Sequence, residues 1–163
     1  MELPYGSSVT PSEQAAFDAL VAGLDSALAR LGEPHVSDHP AFSIEPDWFP
    51  EVLCVTAERS DAADLRFMLE GDWIRVDIAG MEECLEIPLS GDRSRPTGKQ
   101  PPMAETLDRL LTSRATVTYR RRRTDLFLTD AEGLIWCRHK YYNHRMLPPG
   151  FARGEPHEFS ALF

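Results

Sequence analysis

Four consecutive arginines, Arg120, Arg121, Arg122 and Arg123, are the residues of this chain best suited to chemistry. Their chemistry is binding rather than bond-making. A guanidinium presents a planar fork of N–H donors that matches a carboxylate or phosphate oxygen pair. Further along, Arg138, His139, Lys140, His144 and Arg145 are interleaved with Tyr141 and Tyr142, whose rings could stack on bases. Residues 114–145 hold eight basic side chains against three acidic ones, a local excess of five, in a protein of formal net charge −9. In a strand, neighbouring side chains point to opposite faces, so four arginines in a row cannot share one face. The run is therefore expected to end a strand and enter a turn at Arg123-Thr124. Two readings follow. Either these arginines pair with the acidic part of the same chain, or Arg120, Arg121, Arg122, Arg123, Arg138, Lys140 and Arg145 form a basic surface for a partner or an anion.

Residues 58–92 are the opposite pole, with ten acidic residues against Arg59, Arg66 and Arg75. Glu70, Asp72, Asp77, Glu82, Glu83 and Glu86 are the candidate acidic partner-binding residues. An acidic surface suits a basic cleft on another protein and speeds encounter with it. A plain solvated face is the alternative.

No catalytic, metal or cofactor assignment emerges. In His35-x-x-Asp38-His39, two imidazoles stand four apart, a metal-ligand spacing only if the segment is helical. Pro34 and Pro40 argue against a helix there. Cys137 and His139 share a face by alternation, which would allow a thiolate–imidazole pair. Cys137 also continues the apolar face of Ile135, which favours a structural thiol. Gly98-Lys99 lacks the phosphate-loop pattern, and Gln100 stands where the hydroxyl residue belongs. The acidic segment offers many carboxylates and distinguishes none as an acid–base pair.

The positioning elements are legible from periodicity. Phe17, Leu20, Val21, Leu24, Leu28 and Leu31 recur at helical spacing and predict a helix over 11–31. Thr10 is the expected N-cap, Pro11 the first helical residue, Glu13 the partner of a capping box, and Gly32 the stop. The proline-rich stretch 35–50 reads as a loop. Residues 52–57, 65–70 and 73–78 read as strands, the last two as a hairpin turning at Gly71-Asp72. An Ala79-Gly80 turn leads to a strand over Leu85, Ile87 and Leu89. Residues 90–102 read as an exposed connection. Residues 103–113 read as a second helix, with Met103, Leu107, Leu110 and Leu111 on one face. Strands are expected over 116–122, 125–129 and 134–142.

Consecutive strands joined by tight turns pair antiparallel. The fold class expected is α+β, an antiparallel sheet of about six strands with two helices packed on one face. One domain is expected over 1–146, followed by an extended Pro/Gly-rich tail over 147–163 pinned by Phe151, Phe159, Leu162 and Phe163. The 163-residue length is ample for a core. No apolar run reaches the ~20 residues of a membrane span. The first eight residues lack the pattern of a signal peptide. Three scattered cysteines, Cys54, Cys84 and Cys137, fit reduced thiols and a cytoplasmic protein.

An acidic α+β protein of this size resembles, at the level of fold alone, bacterial immunity proteins and secretion chaperones, the latter also in their order of a helix, three strands, a helix and further strands. The chaperone pattern closes with a helix, whereas this chain closes with a Pro/Gly segment. The functional expectation is a non-enzymatic, cofactor-free protein-binding protein, an immunity- or antitoxin-like neutraliser of a toxin. The alternatives are a chaperone-like binder of a secreted effector, or a nucleic-acid or phosphate binder through Arg120–Arg123. The net negative charge counts against nonspecific nucleic-acid binding. A homo-oligomer is compatible with the sequence.

Overall fold

The computed structural model describes residues 10–46, 53–57, 61–70, 73–88, 103–131, 133–141 and 152–163. The order is α1 (Pro11–Leu31), β1 (Phe42–Pro46), β2 (Leu53–Ala57), β3 (Leu65–Glu70), β4 (Trp73–Ile78), β5 (Met81–Pro88), α2 (Met103–Thr112), β6 (Arg114–Tyr119), β7 (Arg123–Asp130), β8 (Gly133–Tyr141) and β9 (Pro156–Phe159). This is an α+β protein with antiparallel sheets and two helices. Its strands form one sheet ordered β1-β2-β3-β4-β5 and another ordered β8-β7-β6-β9. The chain clusters into two units, residues 1–58 with 64–109 and residues 59–63 with 110–163, the division falling within α2.

In the first unit, α1 begins and ends where its chemistry directs. The Thr10 side chain accepts from the Glu13 amide, and the Glu13 carboxylate accepts from the Thr10 amide at 2.7 Å. These bonds lower the Glu13 carboxyl pKa. Gly32 ends the helix in the left-handed conformation at φ 76°, where a Cβ would be strained. Phe17, Leu20, Leu24, Ala27 and Leu28 are buried along one stripe. Gly23 interrupts that stripe because α2 approaches there. A Cβ built on Gly23 would stand 2.8 Å from Leu107 Cδ1. Arg30 on α1 also donates to Asp108 Oδ1 at 3.2 Å.

The five-stranded sheet follows alternation. Leu65 pairs with Ile78, Phe67 with Val76 and Leu69 with Ile74, and all six are buried. Burial of each such side chain contributes about 1.5–3 kcal/mol. The β4–β5 turn is Ala79-Gly80, with φ of 51° and 68°. Two successive positive-φ residues suit a two-residue hairpin, since their twist matches that of the strands. The Gly71-Asp72 connection lies outside the described residues. So do residues 90–102, where the exposed connection is expected.

Two strands appear where the sequence reads as irregular. Phe42–Pro46, inside the proline-rich stretch, pairs with β2 at the edge of its sheet. An edge strand tolerates proline because one side of its backbone needs no partner. Pro156–Phe159, inside the C-terminal segment, pairs with β6. Added to the seven strand segments read from the sequence, these two make nine strands among the described residues, in two sheets where a single sheet of about six was expected.

In the second unit, β6 lies between β7 and β9. Ala115, Val117 and Tyr119 alternate into its core and pair with Leu128, Leu126 and Thr124. Within residues 152–163 the C-terminal segment is tied down at three points. The Gly154 amide donates to the Tyr119 carbonyl, Ser160 to Asp61 and Phe163 to Leu111, and Leu162 is buried. Among the described residues, no helix is long and apolar enough to cross a membrane.

Candidate functional site

The arginine run is the connection of the β6–β7 hairpin. The strand ends at Tyr119, earlier than alternation alone suggests, and β7 starts at Arg123. The Arg120 amide donates to the Arg123 carbonyl at 2.7 Å, which closes the hairpin and leaves Arg121 and Arg122 at its tip. The expected strand end is therefore present, but the turn lies at 120–123 rather than at Arg123-Thr124. Four like charges would repel at such a bend. Burying a neighbour is favourable only where an opposite charge offsets the repulsion.

Asp125 supplies that charge. Its side chain is only 3% exposed. Oδ2 accepts from Arg120 Nε at 2.8 Å and from Arg123 Nη2 at 3.0 Å. Oδ1 lies 2.6 Å from Arg123 Nε and 2.7 Å from His139 Nδ1. Arg123 thus sits side-on to the carboxylate, and the accepting Oδ1 places the His139 proton on Nδ1. Burial pushes the Asp125 carboxyl up. The hydrogen bonds from Arg120, Arg123 and His139, with the Arg123 charge, outweigh burial and hold its pKa below the ordinary value. His139 arrives from β8, where it pairs with Asp125 in register, and its ring meets the Phe127 ring edge-on at 6.0 Å between centroids.

One carboxylate cancels one of the four guanidinium charges, so the turn keeps a surplus of three. Arg121 and Arg122 are exposed and make no hydrogen bond or ion pair among the described residues. Arg120 is anchored through Nε while its side chain stays 54% exposed. The arrangement can hold an oxyanion or a carboxylate-bearing segment. It offers no described nucleophile.

Of the remaining basic candidates, Lys140 is the one whose side chain is described. Lys140 pairs with Thr124 in register, out of phase with His139, and so lies on the other face of β8. Arg138 occupies the register position opposite Leu126. Arg145 lies outside the described residues.

Of the acidic candidates, Asp77 and Glu86 are the two whose side chains are described. Asp77 is buried at 7% and lies 3.6 Å from Arg75 Nε, so it serves the β3–β4–β5 sheet rather than an open acidic surface. Glu86 is exposed and pairs with Arg75 in register. Glu70 ends β3, and Glu82 and Glu83 fall in β5. Asp72 lies outside the described residues.

His35 and His39 do not converge on a metal. His39 is buried. Its Nδ1 accepts from the Ala41 amide at 3.1 Å, so Nε2 carries the proton and donates to Glu33 at 3.3 Å. His35 pairs instead with Asp25. Among the described residues, no group of three His, Cys, Asp or Glu could hold a metal ion. Cys137 faces Phe127 in backbone register, while His139 turns its Nδ1 to Asp125.

Sequence reasoning missed Asp125. The available signal is its phase. It stands two residues after Arg123 on one face of a strand, and it is one of only three acids in the basic segment. Compared with known proteins, the chain matches no family model, no curated protein and no solved structure.

Proposed function

We propose that this chain is a non-enzymatic binding protein whose β6–β7 turn engages an acidic partner protein by charge complementarity. The observation that carries the reading is the exposed Arg121–Arg122 pair on a turn that retains three surplus positive charges. Such a surface steers encounter and fixes orientation more than it adds raw affinity. An immunity-type role, neutralising a toxin by covering it, is the most economical version. Binding a secreted effector in the manner of a chaperone is the alternative. Exposed guanidiniums also suit phosphates, so a nucleic-acid reading stands second, weakened by the net charge of −9.

The test is recovery of a tagged bait from its native cells, with Arg121→Glu/Arg122→Glu as the control. The expected result is a stoichiometric partner that salt releases and the double variant loses. A monomeric, partner-free bait overturns the reading. Wild-type retention on heparin that the double variant loses, with no protein partner recovered, favours the nucleic-acid alternative.

A further inference from the structure

Resting on that reading, we infer that Arg120 is the specificity-determining residue of the turn, a guanidinium pre-oriented by Asp125 to take a partner carboxylate end-on. Four consecutive arginines look interchangeable in sequence, but the structure gives them different work. Arg123 lies side-on against the Asp125 carboxylate, with Nε at 2.6 Å and Nη2 at 3.0 Å, and holds the base of the turn. Arg121 and Arg122 project from the tip without a partner among the described residues, and they supply field rather than geometry. Arg120 alone does both. Its Nε is bonded to the buried Oδ2 at 2.8 Å, and its two terminal nitrogens make no hydrogen bond among the described residues.

A guanidinium fixed at Nε still presents the Nη1/Nη2 pair, a fork that matches the two oxygens of a carboxylate. Fixing it beforehand removes most of the rotamer entropy that a long side chain loses on binding. Asp125 is itself held, because His139 and Arg123 occupy Oδ1 and Arg123 shares Oδ2 with Arg120. Asp125 is thus a positioning residue, and its effect on binding runs opposite to its charge. The class of ligand is an acidic peptide segment, because the anchored Arg120 fork fits the paired oxygens of a carboxylate and the basic turn complements its charge; a polyphosphate is the competing outcome of the test.

The opposition of charge and geometry gives the test a sign. A fluorescein-labelled decaglutamate peptide is titrated at low salt against wild type, Arg120→Lys, Asp125→Asn and Arg121→Glu/Arg122→Glu, each verified as folded by circular dichroism. Arg120→Lys keeps the charge and loses the anchored fork. Asp125→Asn raises the charge of the turn by one and loses the anchor. The expected result is roughly tenfold weaker binding in both. Arg120→Lys binding as wild type does, with Asp125→Asn binding more tightly, overturns the inference and leaves the acidic-partner reading intact, provided the double reversal still abolishes binding. If Asp125→Asn does not fold, Arg120→Lys decides alone. No decaglutamate binding by wild type, or a preference for a labelled decathymidylate, overturns inference and reading together.

Discussion

Asp125 decides what the arginine run can do. A carboxylate 3% exposed with three donors is costly to remove, since Arg120 and Arg123 would then lose the charge that relieves their repulsion. Asp125→Ala is expected to lower stability by about 1–3 kcal/mol in urea unfolding, at the lower end of buried pairs because the arginines reach solvent. The pH dependence has a definite sign. The folded pKa of Asp125 lies below its ordinary value of 3.8, so its contribution is complete above that value and is lost as pH falls through it toward the folded pKa. The stability difference between wild type and Asp125→Asn should therefore be constant well above pH 3.8 and shrink as pH falls below that value. A difference independent of pH would refute this role. The residue types of the site were legible in sequence, as was the impossibility of four arginines on one face. The pivot was not, because an aspartate at the start of a strand looks like an ordinary solvated residue until a register places His139 opposite it.

At the scale of elements, α1 was legible to the residue, because caps and apolar periodicity are local and agree. Its contact with α2 was not. Gly23 sits on the buried stripe, where a side chain would meet Leu107. Gly23→Leu is expected to destabilise by about 1–3 kcal/mol through overpacking. Gly23→Ala should cost much less, because a gain of about 1 kcal/mol in helix propensity offsets the clash. Thermal melts of the pair check both, and a Gly23→Leu variant as stable as wild type would dismiss the close approach. The Ala79-Gly80 turn makes a complementary case. Ala79 holds φ 51° at a small steric cost, and Asn tolerates that region better. Ala79→Asn should stabilise by about 0.5 kcal/mol. Unchanged or lower stability would count against the left-handed turn.

For the whole molecule, the C-terminal segment carries the sharpest consequence. Read as a Pro/Gly-rich tail, it supplies β9 and the buried Leu162. Deleting residues 155–163 should remove at least about 2 kcal/mol from burial of Leu162 alone and expose the edge of β6. Hydrogen exchange at the β6 amides would then accelerate, and unaltered protection would show that β9 is dispensable. The sequence by itself determined the α+β class, both helices and the caps of α1, most strands and the separation of charge along the chain. Those properties arise from period, propensity and composition, which act over a few neighbouring residues. Tertiary structure alone decided that the strands divide into two sheets, that proline-bearing segments serve as edges, and that Asp125 gathers Arg120, Arg123 and His139. The reason is physical. Pairing across strands and burial of a charge depend on register between residues distant in sequence, and a shift of one residue turns every side chain to the other face.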